Sequence, residues 1–105
     1  MILIHIITDN EDKAIEIADF LNEEKLILNS MILENVSIRK RLENGTSRST
    51  DQILIMGKTK ALLFNTIDKK LRKKYRNEMP ILYSLPIINM DWEQADELIK
   101  ETIPV

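Results

Sequence analysis

The chain has 105 residues, enough for one domain and too few for two ordinary ones. Hydrophobic residues make up 44%, charged residues 30%, and the net charge is −2, a balance that excludes global disorder and offers no bulk attraction to nucleic acid. Cysteine is absent, which excludes disulfides, thiolate zinc sites, iron–sulfur clusters and cysteine nucleophiles in this chain.

Residues 2–8 read as a buried strand, apolar on both faces except at His5, and therefore central in a sheet. The opening apolar run is too short to cross a bilayer and has no basic leader, so a cytoplasmic protein without membrane attachment is expected. Thr8, Asp9 and Asn10 supply candidate caps for a helix over 11–24, whose Ala14, Ile17, Ala18 and Leu21 fall on one side. Residues 26–34 predict a second strand, interrupted by Asn29 and Ser30, with Val36 and Ile38 as candidates to extend it. From Arg39 to Asp51 the chain is polar and holds Asn44-Gly45, its best turn signal, so a long mobile hairpin end is expected there.

A third strand follows over 53–59. The next helix, 60–74, presents Leu63, Phe64, Ile67, Leu71 and Tyr75 as a buried stripe and crowds Lys69, Lys70, Arg72, Lys73, Lys74 and Arg76 at its end. A fourth strand is predicted over 81–87, with Pro86 at its end or on an edge. Asp91 can cap a last helix over 92–101, lined by Trp92, Ala95, Leu98, Ile99 and Thr102, with Trp92 as its core anchor.

Charge is segmented. Residues 1–24 carry seven acids and one lysine, 58–76 eight basic groups and one acid, and 77–105 six acids and one lysine. Unlike segments are expected to face each other, within the chain or between subunits. The element order predicts an α+β, ferredoxin-like β-α-β-β-α-β domain over 1–105, with an antiparallel sheet, both main helices on one face and an additional short C-terminal helix. The other face carries apolar residues and is costly to leave in water, so the terminal helix is expected to cover part of it and subunit association the rest.

The chain resembles the CutA family of divalent-cation-tolerance proteins along nearly its whole length, through dispersed features. Leu26-Ile27-Leu28-Asn29-Ser30-Met31-Ile32 looks like the family's second strand without its usual cysteine. Lys58-Thr59 closes the third strand as in the family, Glu78-Met79-Pro80 matches the end of a His-Pro-Tyr-Glu-Val-Pro segment, and Leu85-Pro86-Ile87 is followed by Trp92. Tyr75-Arg76-Asn77, Ile38-Arg39-Lys40-Arg41 and Asn89 depart from the pattern. The resemblance implies a homotrimer whose arms and sheet edges meet around a threefold axis. It also implies likeness to the nitrogen-regulatory P-II proteins, and a link to tolerance and binding of divalent metals, copper included.

Individual residues are ambiguous. His5, the only histidine, is a weak candidate metal ligand and otherwise a core or interface residue. The five methionines show no metal-binding cluster, and Met31, Met56, Met79 and Met90 read as packing or turn residues rather than ligands. Asp9, Glu11 and Asp12 could hold a hard cation but equally suit a helix start. Glu78 is a candidate to line an inter-subunit cleft with Lys58 and Tyr83, against a plainer role in a salt bridge or loop anchor. Arg39, Lys40, Arg41 and Arg48 are candidates to contact a small anionic ligand, against surface ion pairs.

The basic run 69–76 has no interleaved aromatic beyond Tyr75, so a solvated face or subunit contact is expected there rather than a nucleic-acid platform. Two glycines leave no phosphate loop, and no Ser/His/Asp or paired-carboxylate signature stands out, so catalysis is not expected. The expected function is that of a non-enzymatic, trimeric protein of divalent metal tolerance or homeostasis. A P-II-like module binding a small anionic effector or a partner protein is the alternative. A small enzyme with an inter-subunit site ranks last.

Overall fold

The computed structural model describes all 105 residues. The elements are β1 (Ile2–Thr8), α1 (Glu11–Glu23), β2 (Leu28–Arg41), β3 (Ser47–Thr59), α2 (Phe64–Tyr75), β4 (Ile81–Pro86) and α3 (Trp92–Glu101), with single 3-10 turns on both sides of α2. The sheet order is β2-β3-β1-β4, antiparallel throughout, so β1 is central and β4 an edge that ends on Pro86, as the sequence predicts.

One face of the sheet makes the core. Ile2, Ile4 and Ile6 of β1 and Ile53 and Ile55 of β3 pack against Ala14, Ile17, Ala18 and Leu21 of α1 and Leu63, Ile67 and Leu71 of the α2 region. The helix starts and stops are local chemistry. Asn10 caps α1, its Oδ1 accepting from the Lys13 amide at 3.0 Å, and Asp91 caps α3 by accepting from the Gln94 amide at 3.1 Å. After α1, Lys25 takes a left-handed conformation with φ 56°. The Lys25 and Leu26 amides then donate to Asn22 and Leu21 carbonyls, closing the helix end and burying Leu26 beneath it.

Three expectations change. Strand β2 starts at Leu28, because Leu26 and Ile27 belong to the buried helix exit. The polar segment from Arg39 to Asp51 is not a mobile loop. Most of it belongs to a paired two-stranded arm, with register from Val36↔Gln52 to Arg41↔Ser47, and only residues 42–46 turn at the tip. Gly45 there has φ 89°, and Asn44 Oδ1 accepts from the Thr46 amide at 3.0 Å. Trp92 is not a core anchor. It is 75% exposed, while Leu98 of the same helix is fully buried.

Candidate functional site

The sheet face away from the helices is open. In β1 it carries Leu3, His5 and Ile7, which alternate with the buried isoleucines and threonine. Their partners are Lys58, Met56 and Leu54 on β3, and Leu85, Tyr83 and Ile81 on β4. Strand β2 adds Met31 opposite Met56 and Leu33 opposite Leu54. Residues directly opposite one another share a face, so this is one continuous, largely apolar surface. Ile81, Tyr83, Leu85 and Met31 are between 41% and 60% exposed. Helix α3 does not cover them. Its end is tied elsewhere, by the Ile103 amide donating to the Lys25 carbonyl at 2.9 Å and by the Lys60 ammonium donating to the Thr102 and Ile103 carbonyls.

Two Asn residues shape the edge strand. Asn29 and Asn35 sit at φ 56° and 57°, at the two places where the β2–β3 register shifts. Asparagine tolerates this left-handed region better than most residues, so the interruption read at Asn29-Ser30 is a bulge within the strand's start. The first bulge brings Leu28, Met31, Met56 and Lys58 around a hollow of about 320 Å³.

In the middle of the open face, His5 Nδ1 lies 3.1 Å from the Tyr83 hydroxyl, with the rings tilted and their centroids 5.2 Å apart. His5 and Tyr83 therefore form a polar pair in apolar surroundings. Lys58 lies at the Leu3 end of the face, while Glu78 precedes β4 at the Ile7–Thr8 end. Leu3 and Ile7 are roughly 13 Å apart along β1. One chain thus does not bring Glu78 together with Lys58 and Tyr83.

Glu78 instead borders a cavity of about 440 Å³ at the junction of β1, α1, β4 and the arm. Thr8, Asp9, Asn10, Lys13, Lys40 and Gln52 also line it. The Lys13 ammonium donates to the Glu78 carbonyl and lies 4.9 Å above the centre of the Tyr75 ring. Lys13 is a lining residue that the sequence reading missed. Its only signal is its place one turn into a capped helix. Of the four arm cations, Lys40 alone reaches this cavity; it stands opposite Arg48, and Arg39 and Arg41 stand opposite Ser49 and Ser47. None of the four is in a salt bridge.

The acidic start of α1 meets the second bulge. Asp9, Glu11, Glu34 and Asp51 border a smaller hollow of about 250 Å³. A hydrogen bond with Glu34, and then the charge of that neighbour, raises the Glu11 carboxyl above its ordinary value. The basic end of α2 turns toward acidic α1, as charge segmentation suggested: Lys70 pairs with Glu24 at 3.7 Å and Lys74 with Glu16 at 3.9 Å. The Tyr75 hydroxyl donates to Glu16 at 2.6 Å, and burial, then this acceptor, pushes the phenol well above its ordinary value. These contacts make the basic run a helix–helix seam along part of its length. No helix is long and apolar enough to cross a membrane.

No protein-family model and no curated protein matches the sequence. Solved structures do match the fold. CutA1 from Pyrococcus horikoshii, in a single-substitution variant, superposes with a TM-score of 0.86 at 17% identity, covering 99% of this chain and all of that one. The divalent cation tolerance protein Cut A1 from Thermus thermophilus gives 0.84 at 24% identity over 97% of this chain and 99% of its own. A protein described as the periplasmic divalent cation tolerance protein CutA, from Archaeoglobus fulgidus, gives 0.82 at 20% identity, over 96% of this chain and 98% of its own. This chain therefore has the fold of the CutA proteins from end to end.

Proposed function

We propose that this chain is a divergent CutA protein that acts without catalysis, as a cytoplasmic homotrimer, in tolerance or homeostasis of divalent metal ions. The observation that carries the reading is the likeness of fold over 96–97% of the chain to two proteins described as divalent cation tolerance proteins. The open apolar sheet face supports the assembly. Three such faces turned toward a common axis would remove Leu3, Ile81, Tyr83 and Leu85 from water. The long β2–β3 arm reaches beyond the sheet and is available to a neighbouring subunit's edge. Copper is the leading candidate cargo. Deleting the chain from its host is expected to lower growth in excess Cu²⁺ or Zn²⁺, with growth restored by the intact gene. Unchanged tolerance in the deletion strain would contradict the role.

A second reading rests on the 440 Å³ cavity, where Lys13 and Lys40 approach from a helix and from the arm. A P-II-like module would place a small anionic effector there, between the two ammonium groups. A thermal-shift screen with nucleotides and small anionic metabolites tests it. The reading expects a stabilising compound whose effect disappears in K13Q and K40Q, and a flat screen contradicts it.

A further inference from the structure

Four charged residues border the cavity of about 440 Å³, two of each sign, and none pairs with another. Asp9 stands in the β1–α1 loop, Lys13 on α1, Lys40 on the arm and Glu78 shortly before β4. No salt bridge in the chain involves any of them. Lys13 is the fixed member: its ammonium donates to the Glu78 carbonyl and sits 4.9 Å above the centre of the Tyr75 ring. An ammonium group has three donors, so it keeps others for a ligand. Thr8, Asn10 and Gln52 add polar groups to the wall, Ile7, Met79 and Ile81 add apolar ones, and no aromatic ring borders the cavity. The volume falls within the roughly 300–1,000 Å³ of small-molecule sites. Ile7 and Ile81 reach it from the end of the open sheet face, whereas none of the four charged residues is on β1 or β4.

We infer that this cavity binds a zwitterion, a free α-amino acid with an apolar side chain. The inference rests on the reading of the cavity as an effector site, and it narrows the effector from an anion to a molecule that carries both charges. Two lysines alone would favour an anion. A polyanion held between them would also face Asp9 and Glu78, and like charges brought together oppose binding. A simple cation meets the converse obstacle at Lys13 and Lys40. An amino acid satisfies both pairs. Its carboxylate accepts from Lys13 and Lys40, and its ammonium donates to Asp9 and Glu78, in charge-assisted hydrogen bonds. Ile7, Met79 and Ile81 offer its side chain an apolar wall. With no aromatic ring on the wall, a nucleotide base has no stacking partner.

The test is calorimetric titration of the full-length protein with valine, leucine, isoleucine and methionine. Each is compared with the analogue that lacks the ammonium and the one that lacks the carboxylate; for leucine these are isocaproate and isoamylamine. The expected result is saturable binding of at least one amino acid, with both of its analogues weaker by roughly tenfold or more, because each loses one set of charged contacts. Asp9, Lys40 and Glu78 are exposed, so their substitution is expected to leave the fold intact. Lys40→Gln is expected to weaken the amino acid by roughly tenfold. Asp9→Asn/Glu78→Gln is expected to bring the amino acid and its carboxylic acid analogue to equal affinity, since the ammonium then meets no carboxylate. An analogue that binds as tightly as the amino acid, full affinity in Lys40→Gln, or an undiminished preference in Asp9→Asn/Glu78→Gln would each overturn the zwitterion site. A nucleotide or simple anion that binds while no amino acid does would leave the effector site standing and overturn the zwitterion; binding by neither would overturn both.

Discussion

At Gly57 the space for a side chain is already taken. A Cβ there would lie 2.8 Å from Ile27 Cδ1 and 3.3 Å from the Asn29 carbonyl oxygen, beside the first bulge. Gly57→Ala is expected to cost about 1–3 kcal/mol, read as a lower melting temperature. Lys25 shows the opposite case. It holds a left-handed conformation without being glycine, and it is exposed. Lys25→Gly is expected to gain up to about 1 kcal/mol, because the steric cost of Cβ in that region disappears. Glu11 and Glu34 give a pH dependence. The folded state holds the Glu11 proton more tightly than the unfolded chain does, so this pair contributes stability in acid and loses it as pH rises through the raised value. Glu34→Gln is therefore expected to raise the melting temperature at pH 7, with the gain shrinking toward acid pH. Residue roles were the least legible part of the sequence. His5, Met31 and Met56 are far apart along the chain and meet only through strand register, which no local spacing reveals.

At the scale of elements, periodicity was sufficient wherever burial was one-sided. Ile2, Ile4 and Ile6, the stripe of α1, and Ile67 and Leu71 of α2 all lie in the core as their spacing demands. Leu71→Ala in the centre of α2 is expected to cost about 2–5 kcal/mol, seen in the denaturant midpoint. The arm escaped the same logic. Val36, Ile38 and Thr50 are half-buried, but most of its residues face water on both sides, so no alternation of burial marks it as strand. Trp92 misled for a related reason. Helical spacing placed it on the stripe with Leu98, but only the end of α3 near Leu98 and Thr102 reaches the body of the molecule, and the start is free. The α1–α2 seam was legible as segmented charge, although its detail was not. Its exposed ion pairs contribute at most about 1 kcal/mol each. Tyr75→Phe removes the hydroxyl that binds Glu16 and is expected to cost about 0.5–1.5 kcal/mol, read by thermal denaturation.

For the whole molecule, the sheet order and helix placement followed from element order, and so did the cost of the second sheet face. A domain of this size has little apolar surface to spare. Yet this chain leaves Leu3, Met31, Ile81, Tyr83 and Leu85 on a surface that no element of its own covers. The helix expected to cover part of it is tied to Lys25 and Lys60 instead. Association between copies is the account that removes this cost. The most direct measurement is the absolute mass in solution, by light scattering behind size exclusion, over a dilution series and with chelator present. The chain weighs 12.3 kDa. The account predicts three times that mass, unchanged on dilution and in chelator; a monomer with a stable, cooperatively folded open face would contradict it.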